Sequence, residues 1–393
     1  MSKRYVIIGA GIAGISAAEA IREVDASGRI DLFTRETLLP YSRPMISKSP
    51  FATYDPAHWT IHDEDWFEEN RIGLHLGSDV KGVDTGERTV TTAEGVYPWD
   101  RLILATGADP FVPPFPGRDK KNVFTIRRAE DIFEIKKAAL PGSKAVIIGG
   151  GIIGIEAAVE LLRYGVEVTV LEAMPYLMTR QIDHASSDRV IEMLKGAVDI
   201  YTGVTIAELG GGEAVECVRL EDGRVFPCSQ VIVATGLRAD TAIAKEIGAE
   251  VQRAIVIDDH CRTSLPDVYA AGDCAEEEGT NYMLWSQGIV QGTAAGHNAA
   301  GLDETMGRVD STLMINSPFM SLFALGDTGK DPARTYEIKT VQSDPEDRRF
   351  SVNPKQGVFF ERQYLCGGRL VGDVIVGNLS AMNDRKRQIL GEV

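Results

Sequence analysis

The sequence predicts an α/β fold with two parallel-sheet domains, and each domain contains its own copy of the same strand, turn and helix unit. The unit occurs twice, as VIIGAGIAGISAA in residues 6–18 and as VIIGGGIIGIEAA in residues 146–158, with ten of thirteen positions identical. In each copy an apolar, β-rich run precedes the glycines and a helical apolar pattern follows them. The length of 393 residues and the hydrophobic fraction of 44% predict two or three folded domains.

The glycines of both copies satisfy the G-x-G-x-x-G pattern of Rossmann-like dinucleotide-binding domains. The first glycine permits a tight turn, the second lets the backbone approach a pyrophosphate, and the third lets the helix pack closely. The pyrophosphate would lie on the N-terminal amides of the helix, where the helix dipole favours an anion. The candidate cofactor-binding residues of the two copies are Gly9, Gly11, Ala13 and Gly14, and Gly149, Gly151, Ile153 and Gly154.

Each copy is followed by a second predicted strand that leads to an acidic residue. Glu36 lies 22 residues after Gly14, and Glu172 lies 18 residues after Gly154. Both spacings are close to the value of about 20 at which an acid binds the adenosine ribose. A carboxylate there repels a 2′-phosphate, and the segment AMPY after Glu172 contains no arginine, so we expect NADH rather than NADPH. A solvated surface carboxylate is the alternative for both acids.

The net charge and the cysteines exclude other classes of protein. A net charge of -16 opposes binding to nucleic acid or to an anionic membrane surface. The first residues, MSKRYVIIG, do not resemble a secretory signal, and no run approaches 18 apolar residues, so we expect a cytoplasmic protein without a membrane span. The five cysteines show no CxxC spacing, so we expect reduced thiols, and we expect no metal site.

Six motifs in order make the chain resemble the two-dinucleotide FAD/NAD(P)-dependent oxidoreductases. The resemblance is strongest to the NADH:rubredoxin and ferredoxin reductase branch, and the chain is also similar to the flavin domain of NADH-dependent nitrite reductase. The motifs are GAGIAG, PYSRPMISK (40–48), LILATGA (102–108), GGGIIGIE, VIVATGLRAD (231–240) and TSLPDVYAAGD (263–273).

The resemblance implies a division of the chain into three domains. Residues 1–110 and 231–304 would form a discontinuous FAD-binding domain, with residues 111–230 inserted as the NADH-binding domain. Residues 305–393 would form a small α+β C-terminal domain. Because the family uses this last domain as an interface, a homo-oligomer is compatible with the resemblance.

The resemblance also implies the reactive residues. Arg43, Pro44 and Lys48 of PYSRPMISK would lie along the flavin, and Lys48 would pair with Glu156, where the first copy has Ser16. A cation beside the flavin would stabilise its anionic reduced form, so Lys48 and Glu156 are the candidate catalytic residues. A solvated lysine and a first-turn acid favoured by the helix dipole are the alternatives.

Further cofactor-binding residues follow from the resemblance. Asp273 would accept hydrogen bonds from the ribityl chain of FAD, and a helix N-cap is its alternative role. Trp285 would lie at the flavin edge, with a core tryptophan as the alternative. The two ATG segments would be crossings between domains. The candidates in this group are Ala105, Thr106, Gly107, Gly236, Gly272, Asp273 and Trp285.

The positions of the cysteines limit which electron acceptors the sequence predicts. Related reductases of disulfides and peroxides need a thiol at the flavin, whereas here no cysteine precedes Cys217 and Ser42 stands in PYSRP. We therefore expect an enzyme that transfers a hydride from NADH to FAD and then electrons to a small iron carrier such as rubredoxin or ferredoxin. The alternatives are a water- or peroxide-forming NADH oxidase, a slowly reacting NADH/FAD redox sensor and an electron-input subunit.

An acidic iron carrier would require a local basic surface on this acidic chain, because two proteins of like net charge repel each other. The sequence offers two candidate patches, which are Arg348 with Arg349, and Arg385 with Lys386 and Arg387. Ordinary solvated surface is the alternative role of each patch.

Overall fold

The computed structural model describes residues 2–49, 51–343 and 359–392 of the chain. Intramolecular contacts define two compact units, and both are discontinuous in sequence. The first unit comprises Met1–Met45, Asp55–Asp109 and Leu237–Asp310, and the second comprises Ile46–Tyr54, Pro110–Gly236 and Ser311–Val393.

The secondary structure alternates between strands and helices over most of the chain. Residues 2–110 contain β1 (Arg4–Ile8), α1 (Ile12–Val24), β2 (Arg29–Phe33), α2 (Met45–Lys48), α3 (Glu64–Glu69), β3 (Ile72–His75), β4 (Gly82–Asp84), β5 (Thr89–Thr91), β6 (Val96–Pro98), β7 (Arg101–Leu104) and β8 (Ala108–Pro110). Residues 111–236 contain β9 (Val123–Phe124), α4 (Ala129–Ala138), β10 (Lys144–Ile148), α5 (Ile152–Arg163), β11 (Glu167–Leu171), α6 (His184–Leu194), β12 (Val198–Tyr201), β13 (Ile206–Gly210), β14 (Cys217–Leu220), β15 (Val225–Pro227) and β16 (Gln230–Val233).

The remaining elements lie in residues 237–392, and short 3-10 helices occur at Phe51–Thr53, Pro56–Trp59 and Gly272–Cys274. The elements are β17 (Leu237–Ala239), α7 (Ala242–Glu246), β18 (Ile255–Ile257), β19 (Val268–Ala270), β20 (Ala275–Glu277), α8 (Trp285–Ala300), β21 (Leu313–Asn316), β22 (Ser321–Gly326), β23 (Glu337–Gln342), β24 (Phe359–Cys366), β25 (Arg369–Gly377) and α9 (Met382–Leu390).

The first unit is built on a parallel sheet with the strand order β19-β7-β1-β2-β3. The central strand β1 has the sequence RYVII, and its last four residues are buried, as expected for a strand covered on both faces. At its C-terminal end Ile8 pairs with Phe33 of β2 and with Leu104 of β7. The turn that follows β1 therefore lies at the carboxyl edge of the sheet, where parallel sheets bind their ligands.

The second unit repeats the order of four of these strands, and its fifth strand, β9, precedes the central strand in the chain, whereas β19 of the first unit follows it. The parallel sheet of the second unit has the order β12-β11-β10-β16-β9, and Ile148 of the central strand β10 pairs with Leu171 and with Val233. Both units also insert a three-stranded antiparallel sheet before the strand that returns beside the centre, β4-β5-β6 in the first and β13-β14-β15 in the second. The internal repeat therefore extends well beyond the thirteen residues that reveal it in the sequence.

The second unit also contains the C-terminal segment, which forms a sheet of order β21-β22-β25-β24-β23 with antiparallel neighbours. Helix α9 covers one face of this sheet, where Phe323, Leu325, Ile375 and Ile389 form a buried apolar cluster. The predicted α/β fold class is confirmed by the two parallel sheets. None of the helices in the described ranges combines the length and apolar character that crossing a membrane requires.

Candidate functional site

The turn between β1 and α1 is closed by backbone contacts that only glycine permits. Gly9 has a φ of +111°, and a Cβ atom there would lie 2.0 Å from the carbonyl oxygen of Ala105. A Cβ atom at Gly14 would lie 1.9 Å from the carbonyl oxygen of Gly9, so α1 packs directly on the turn. At Gly11, by contrast, a Cβ atom would meet nothing within 4 Å. The turn is open at the position expected to approach a pyrophosphate.

The turn between β10 and α5 has the same geometry. Gly149 has a φ of +113°, and its Cβ atom would lie 2.4 Å from the carbonyl oxygen of Ala234. A Cβ atom at Gly154 would lie 2.1 Å from the carbonyl oxygen of Gly149, whereas Gly151 is open. Gly151 and Gly11 are the N-cap residues of their helices, and no side chain caps either helix. The N-terminal amides of both helices therefore suit a diphosphate, and each turn fits one dinucleotide.

Two other motif residues occupy equivalent positions in these helices. Ala13 is the second residue of α1, and Ile153 is the second residue of α5. Neither helix carries an acidic residue in its first turn, so no carboxylate there repels an approaching phosphate.

Glu172, which follows β11, is held by two backbone amides of the second unit. Its Oε2 accepts a hydrogen bond from the amide of Gly150 at 2.5 Å, and its Oε1 accepts one from the amide of Met174 at 2.6 Å. The carboxylate thus lies directly beside the phosphate-binding turn, which is where the fingerprint requires an acid that binds ribose.

Glu36 occupies the equivalent position in the first unit but has side-chain partners. It accepts a hydrogen bond from Tyr41 Oη at 2.8 Å and forms an ion pair with Arg43. The Arg43 guanidinium also lies 5.5 Å from the centroid of the Tyr41 ring. The structure therefore brings together two predicted site residues, Glu36 and Arg43, whose contact the sequence did not indicate. Pro44 lies in the turn that precedes α2.

Glu156 is a buried acid in α5, with 6% of its surface exposed. Its Oε2 accepts a hydrogen bond from the hydroxyl of Ser47 at 2.6 Å. Burial raises the pKa of Glu156, and the charge of Lys48 opposes this shift. The Lys48 side chain is exposed and acts at longer range, so Ser47 rather than Lys48 is the hydrogen-bond partner in the described structure. Because α5 begins at Ile152, Glu156 is not a first-turn acid, and that alternative is wrong.

The segment Gly272–Cys274 packs beside the start of α1. A Cβ atom at Gly272 would lie 2.9 Å from the Cβ atom of Ala13, and the Gly272 amide donates to Gln291 Oε1 at 2.9 Å. Asp273 interacts electrostatically with Arg43, so the two residues and Glu36 form one cluster of charges in the first unit. Asp273 is the N-cap residue of neither neighbouring helix, because Ala271 and Leu284 occupy those positions.

Close packing between α1 and α8 was not predicted from the sequence. A Cβ atom at Gly292 would lie 2.3 Å from the carbonyl oxygen of Ala13, and one at Gly296 would lie 2.3 Å from that of Ala17. With Gly288 these residues repeat every fourth position in GIVQGTAAG, which is the signal that could have revealed the contact. The three glycines let the backbone of α8 touch α1 and so fix the helix that follows the first phosphate-binding turn.

Trp285 begins α8 and is half-buried, and its expected place at the flavin edge stays a prediction. The loop before it is held by Gln287, whose Oε1 accepts hydrogen bonds from the amides of Tyr282 at 2.7 Å and Met283 at 3.0 Å. The Tyr282 side chain beside it is 51% exposed. An aromatic surface therefore lies at the N-terminal end of α8.

The two ATG segments adjoin the points where the chain leaves each unit. In the first unit the hydroxyl of Thr106, between Ala105 and Gly107, donates to the carbonyl oxygen of Asp240 at 2.6 Å. In the second unit the hydroxyl of Thr235, next to Gly236, donates to the carbonyl oxygen of Phe111 at 2.5 Å. Each threonine thus joins, within its own unit, the two segments of chain that lead to the other unit.

The five cysteines, all described, are free thiols. Burial raises the pKa of Cys228 and of Cys261 to about 12, so both stay protonated at neutral pH and are poor nucleophiles. The one group of potential metal ligands in the described ranges is Asp258, Asp259 and His260, of which the acids are exposed. His260 Nδ1 already lies 2.7 Å from Asp259 Oδ1, so we assign no metal to this group.

Of the two predicted basic patches, the structure describes only the one on α9. Arg348 and Arg349 lie outside the described residues. Arg385 forms an ion pair with Glu361 at 2.5 Å, and Arg387 forms one with Asp384 at 2.6 Å. The patch in α9 is therefore largely neutralised by acids of the same unit.

Two phosphate-binding turns, each on a parallel sheet and each followed by an acid, define a protein that binds two dinucleotides. The chain belongs to the pyridine nucleotide-disulphide oxidoreductase family, whose model matches residues 3–296. This confirms the predicted family and its cofactors, FAD and NADH.

Relatives of this chain occur among the nitrite reductases and among the rubredoxin reductases. Nitrite reductase [NAD(P)H] of Bacillus subtilis (strain 168) is 34% identical over 387 residues, which are 97% of this chain and 46% of the relative. Rubredoxin-NAD(+) reductase of Pseudomonas putida is 34% identical over 276 residues, covering 69% of this chain and 71% of the relative. The chain thus spans about half the length of the nitrite reductase that it matches.

Solved structures agree with this family. The ferredoxin reductase for the CYP199A2 system from Rhodopseudomonas palustris has a TM-score of 0.87 and 25% identity, with 98% of this chain and 94% of that chain covered. NADH:rubredoxin oxidoreductase from Clostridium acetobutylicum has a TM-score of 0.78 and 26% identity, with 100% and 96% covered.

Proposed function

We propose that this chain is an FAD-dependent reductase that takes a hydride from NADH and passes electrons to a small iron protein such as rubredoxin or ferredoxin. The observation that carries the proposal is the duplicated phosphate-binding turn, open at Gly11 and again at Gly151. A chain with two such turns binds the electron donor and the flavin together. The small iron protein that accepts the electrons therefore does not need to bind NADH or FAD itself.

The first turn is assigned to FAD and the second to NADH. Residues 1–110 and 231–304 would hold FAD, with Asp273 beside α1 as the ligand for its ribityl hydroxyls. Residues 111–230 would hold NADH on the turn that follows β10. Residues 305–393 would then serve as the interface domain.

Selectivity for NADH is assigned to Glu172. The hydrogen bonds from Gly150 and Met174 hold its carboxylate beside the phosphate-binding turn. A carboxylate held there can accept a hydrogen bond from a ribose hydroxyl and repels a 2′-phosphate. The relatives named for NADH support this choice.

Glu156 and Lys48 are assigned to the reacting end of the cofactors. FAD, when bound, supplies the ring that accepts the hydride of NADH. Glu156 keeps a larger protonated fraction at neutral pH than an ordinary glutamate, because burial raises its pKa, and the Ser47 hydroxyl orients it. The Lys48 ammonium supplies positive charge that favours a reduced, anionic partner. We expect both groups to act by orientation and charge.

The acceptor is assigned by the relatives and by the burial of two of the thiols. The buried thiols of Cys228 and Cys261 are unsuited to disulfide or peroxide chemistry. Relatives named rubredoxin-NAD(+) reductase and ferredoxin reductase support transfer to an iron protein. Because Arg385 and Arg387 of α9 are paired with acids, we do not place the docking surface there.

The test is an anaerobic stopped-flow experiment. FAD-loaded protein is mixed with NADH and an excess of oxidised rubredoxin, or of ferredoxin in a parallel trace, and the absorbance of flavin and of carrier is followed. Fast flavin bleaching followed by many turnovers of the carrier supports the proposal. Absence of flavin reduction would exclude the reductase, and fast NADH loss that depends only on oxygen would indicate an NADH oxidase.

A second candidate is an electron-input segment of a larger nitrite reductase. It is favoured by the match of 97% of this chain to less than half of the Bacillus subtilis enzyme. In the same experiment this role predicts rapid flavin reduction by NADH with no transfer to rubredoxin or ferredoxin. A redox sensor would instead keep its reduced flavin for many minutes after one equivalent of NADH.

A further inference from the structure

The loop between β11 and α6 is packed directly on the second phosphate-binding turn. The amide of Met178 donates to the carbonyl oxygen of Gly150 at 3.1 Å, and a Cβ atom at Gly150 would lie 2.4 Å from Cδ2 of Leu177. The same loop supplies the amide of Met174 that binds Glu172. A shift of this loop therefore displaces both the turn and the acid that are proposed to bind NADH.

The loop contains a backbone conformation that its surroundings must stabilise. Met178 has a φ of +49°, in the left-handed region that residues other than glycine rarely adopt. Its carbonyl oxygen accepts hydrogen bonds from the amides of Gln181 at 2.8 Å and Ile182 at 3.1 Å. At the far end of the loop, the carbonyl oxygens of Gln181 and Ile182 accept hydrogen bonds from residues elsewhere in the second unit.

Those partners come from the C-terminal segment. The buried hydroxyl of Thr328 donates to the carbonyl oxygen of Gln181 at 2.9 Å. The Lys330 ammonium donates to the carbonyl oxygen of Ile182 at 2.7 Å and to Tyr176 Oη at 3.1 Å, and it lies 5.3 Å from the centroid of the Tyr176 ring. Together these contacts hold the loop at three successive points.

A third residue of the C-terminal segment secures the end of the loop. Asp183 is the N-cap residue of α6, and its Oδ1 accepts a hydrogen bond from the amide of Ser186 at 2.8 Å. Its Oδ2 forms an ion pair with Nε of Arg362 at 2.8 Å. We name Thr328, Lys330 and Arg362 the C-terminal clasp.

We infer that the C-terminal clasp sets the affinity for NADH by holding the loop between β11 and α6 against the phosphate-binding turn. The inference rests on the proposed function, which places NADH on that turn. The clasp residues contact the loop rather than the turn, so they are positioning residues. The C-terminal segment thereby acquires a role in binding the electron donor, in addition to its expected role as an interface.

Substitution of the clasp tests the inference in FAD-loaded protein. Lys330→Met and Thr328→Val remove the contacts to the loop, and NAD+ is titrated calorimetrically as a probe that needs no turnover. We expect the Kd for NAD+ and the KM for NADH to rise about three- to tenfold, with kcat for ferricyanide reduction within about twofold of the wild type. Lys330→Arg, which keeps a cationic donor, should lose less affinity than Lys330→Met.

Lys339→Met is the matched control, because Lys339 lies on exposed strand β23 and pairs with Glu337 rather than with the loop. Unchanged Kd values in both clasp variants, or a loss confined to kcat, would overturn the inference. If Lys330→Met does not fold, Thr328→Val decides the matter alone. If the wild type and the control neither bind NAD+ nor oxidise NADH, the proposed function itself fails, and the clasp inference falls with it.

Discussion

Asp373 is a fully buried carboxyl group, and its replacement provides a sharp test of the electrostatics in the C-terminal sheet. It lies on β25 with 0% of its surface exposed, and no side chain within the described residues donates a hydrogen bond to its carboxylate oxygens. Burial raises its pKa from 3.8 to about 8, and the charge of Glu361 on β24 adds to the shift. The charge of Arg385 on α9 and the backbone amide of Val374 oppose it.

The direction of the pH dependence follows from this raised pKa. The folded protein holds the Asp373 proton more tightly than the unfolded chain does. The contribution to stability is therefore greatest below pH 3.8 and is lost as the pH rises towards about 8. Each pH unit in this window corresponds to about 1.4 kcal/mol, so the loss is on the order of 5 kcal/mol at pH 8.

Asp373→Asn removes this titration while keeping the size of the side chain. We expect the free energy of unfolding of the variant, relative to the wild type, to increase by about 1.4 kcal/mol for each pH unit between pH 5 and pH 7.5. Urea unfolding of FAD-loaded protein at several pH values measures this difference. Altered packing by asparagine adds a constant offset and leaves the slope unchanged.

Asp384→Asn is the matched control, because Asp384 lies on α9 with 64% of its side chain exposed. Its stability profile should run parallel to that of the wild type across the same pH range. An equal difference between Asp373→Asn and the wild type at pH 5 and pH 7.5 would show that the pKa of Asp373 is not raised in the folded protein.

Three further predictions concern the phosphate-binding turns and the helix that packs on them. Gly9→Ala should destabilise the protein by more than about 2 kcal/mol, because its Cβ atom meets a carbonyl oxygen, whereas Gly11→Ala should keep its Tm and lose FAD. Equal thermal shifts would contradict this. Glu172→Gln should lower the preference for NADH over NADPH about tenfold, as the ratio of kcat/KM values measures. An unchanged ratio would remove Glu172 from selectivity. Burial lowers the pKa of His297, but two carboxylate neighbours outweigh this effect and raise it. Its stabilisation is present below pH 6.5 and is lost as the pH rises through the folded-state pKa, so His297→Gln should cost more stability at pH 6 than at pH 9. Chemical unfolding at pH 6 and pH 9 measures the loss of stability, and equal losses at the two pH values would contradict the prediction.

The local geometry of the two turns was determined by the sequence. Gly9 and Gly149 take a left-handed conformation because each precedes a helix that must start at once after a buried strand, and their spacing to Gly14 and Gly154 sets the close helix contact. The carboxylate of Glu172 lies beside the turn, as its distance along the chain indicates, and its contact with ribose stays a prediction. These features depend on residues near each other in sequence, so a pattern suffices to predict them.

Side-chain partners from distant segments were decided only by the tertiary structure. Ser47 binds Glu156 across 109 residues, although the family resemblance implied Lys48 as its partner. The buried state of Asp373 likewise follows from strands and a helix that pack around it. A hydrogen bond or a pKa depends on what three-dimensional packing brings within a few ångströms, and neither periodicity nor spacing carries that information.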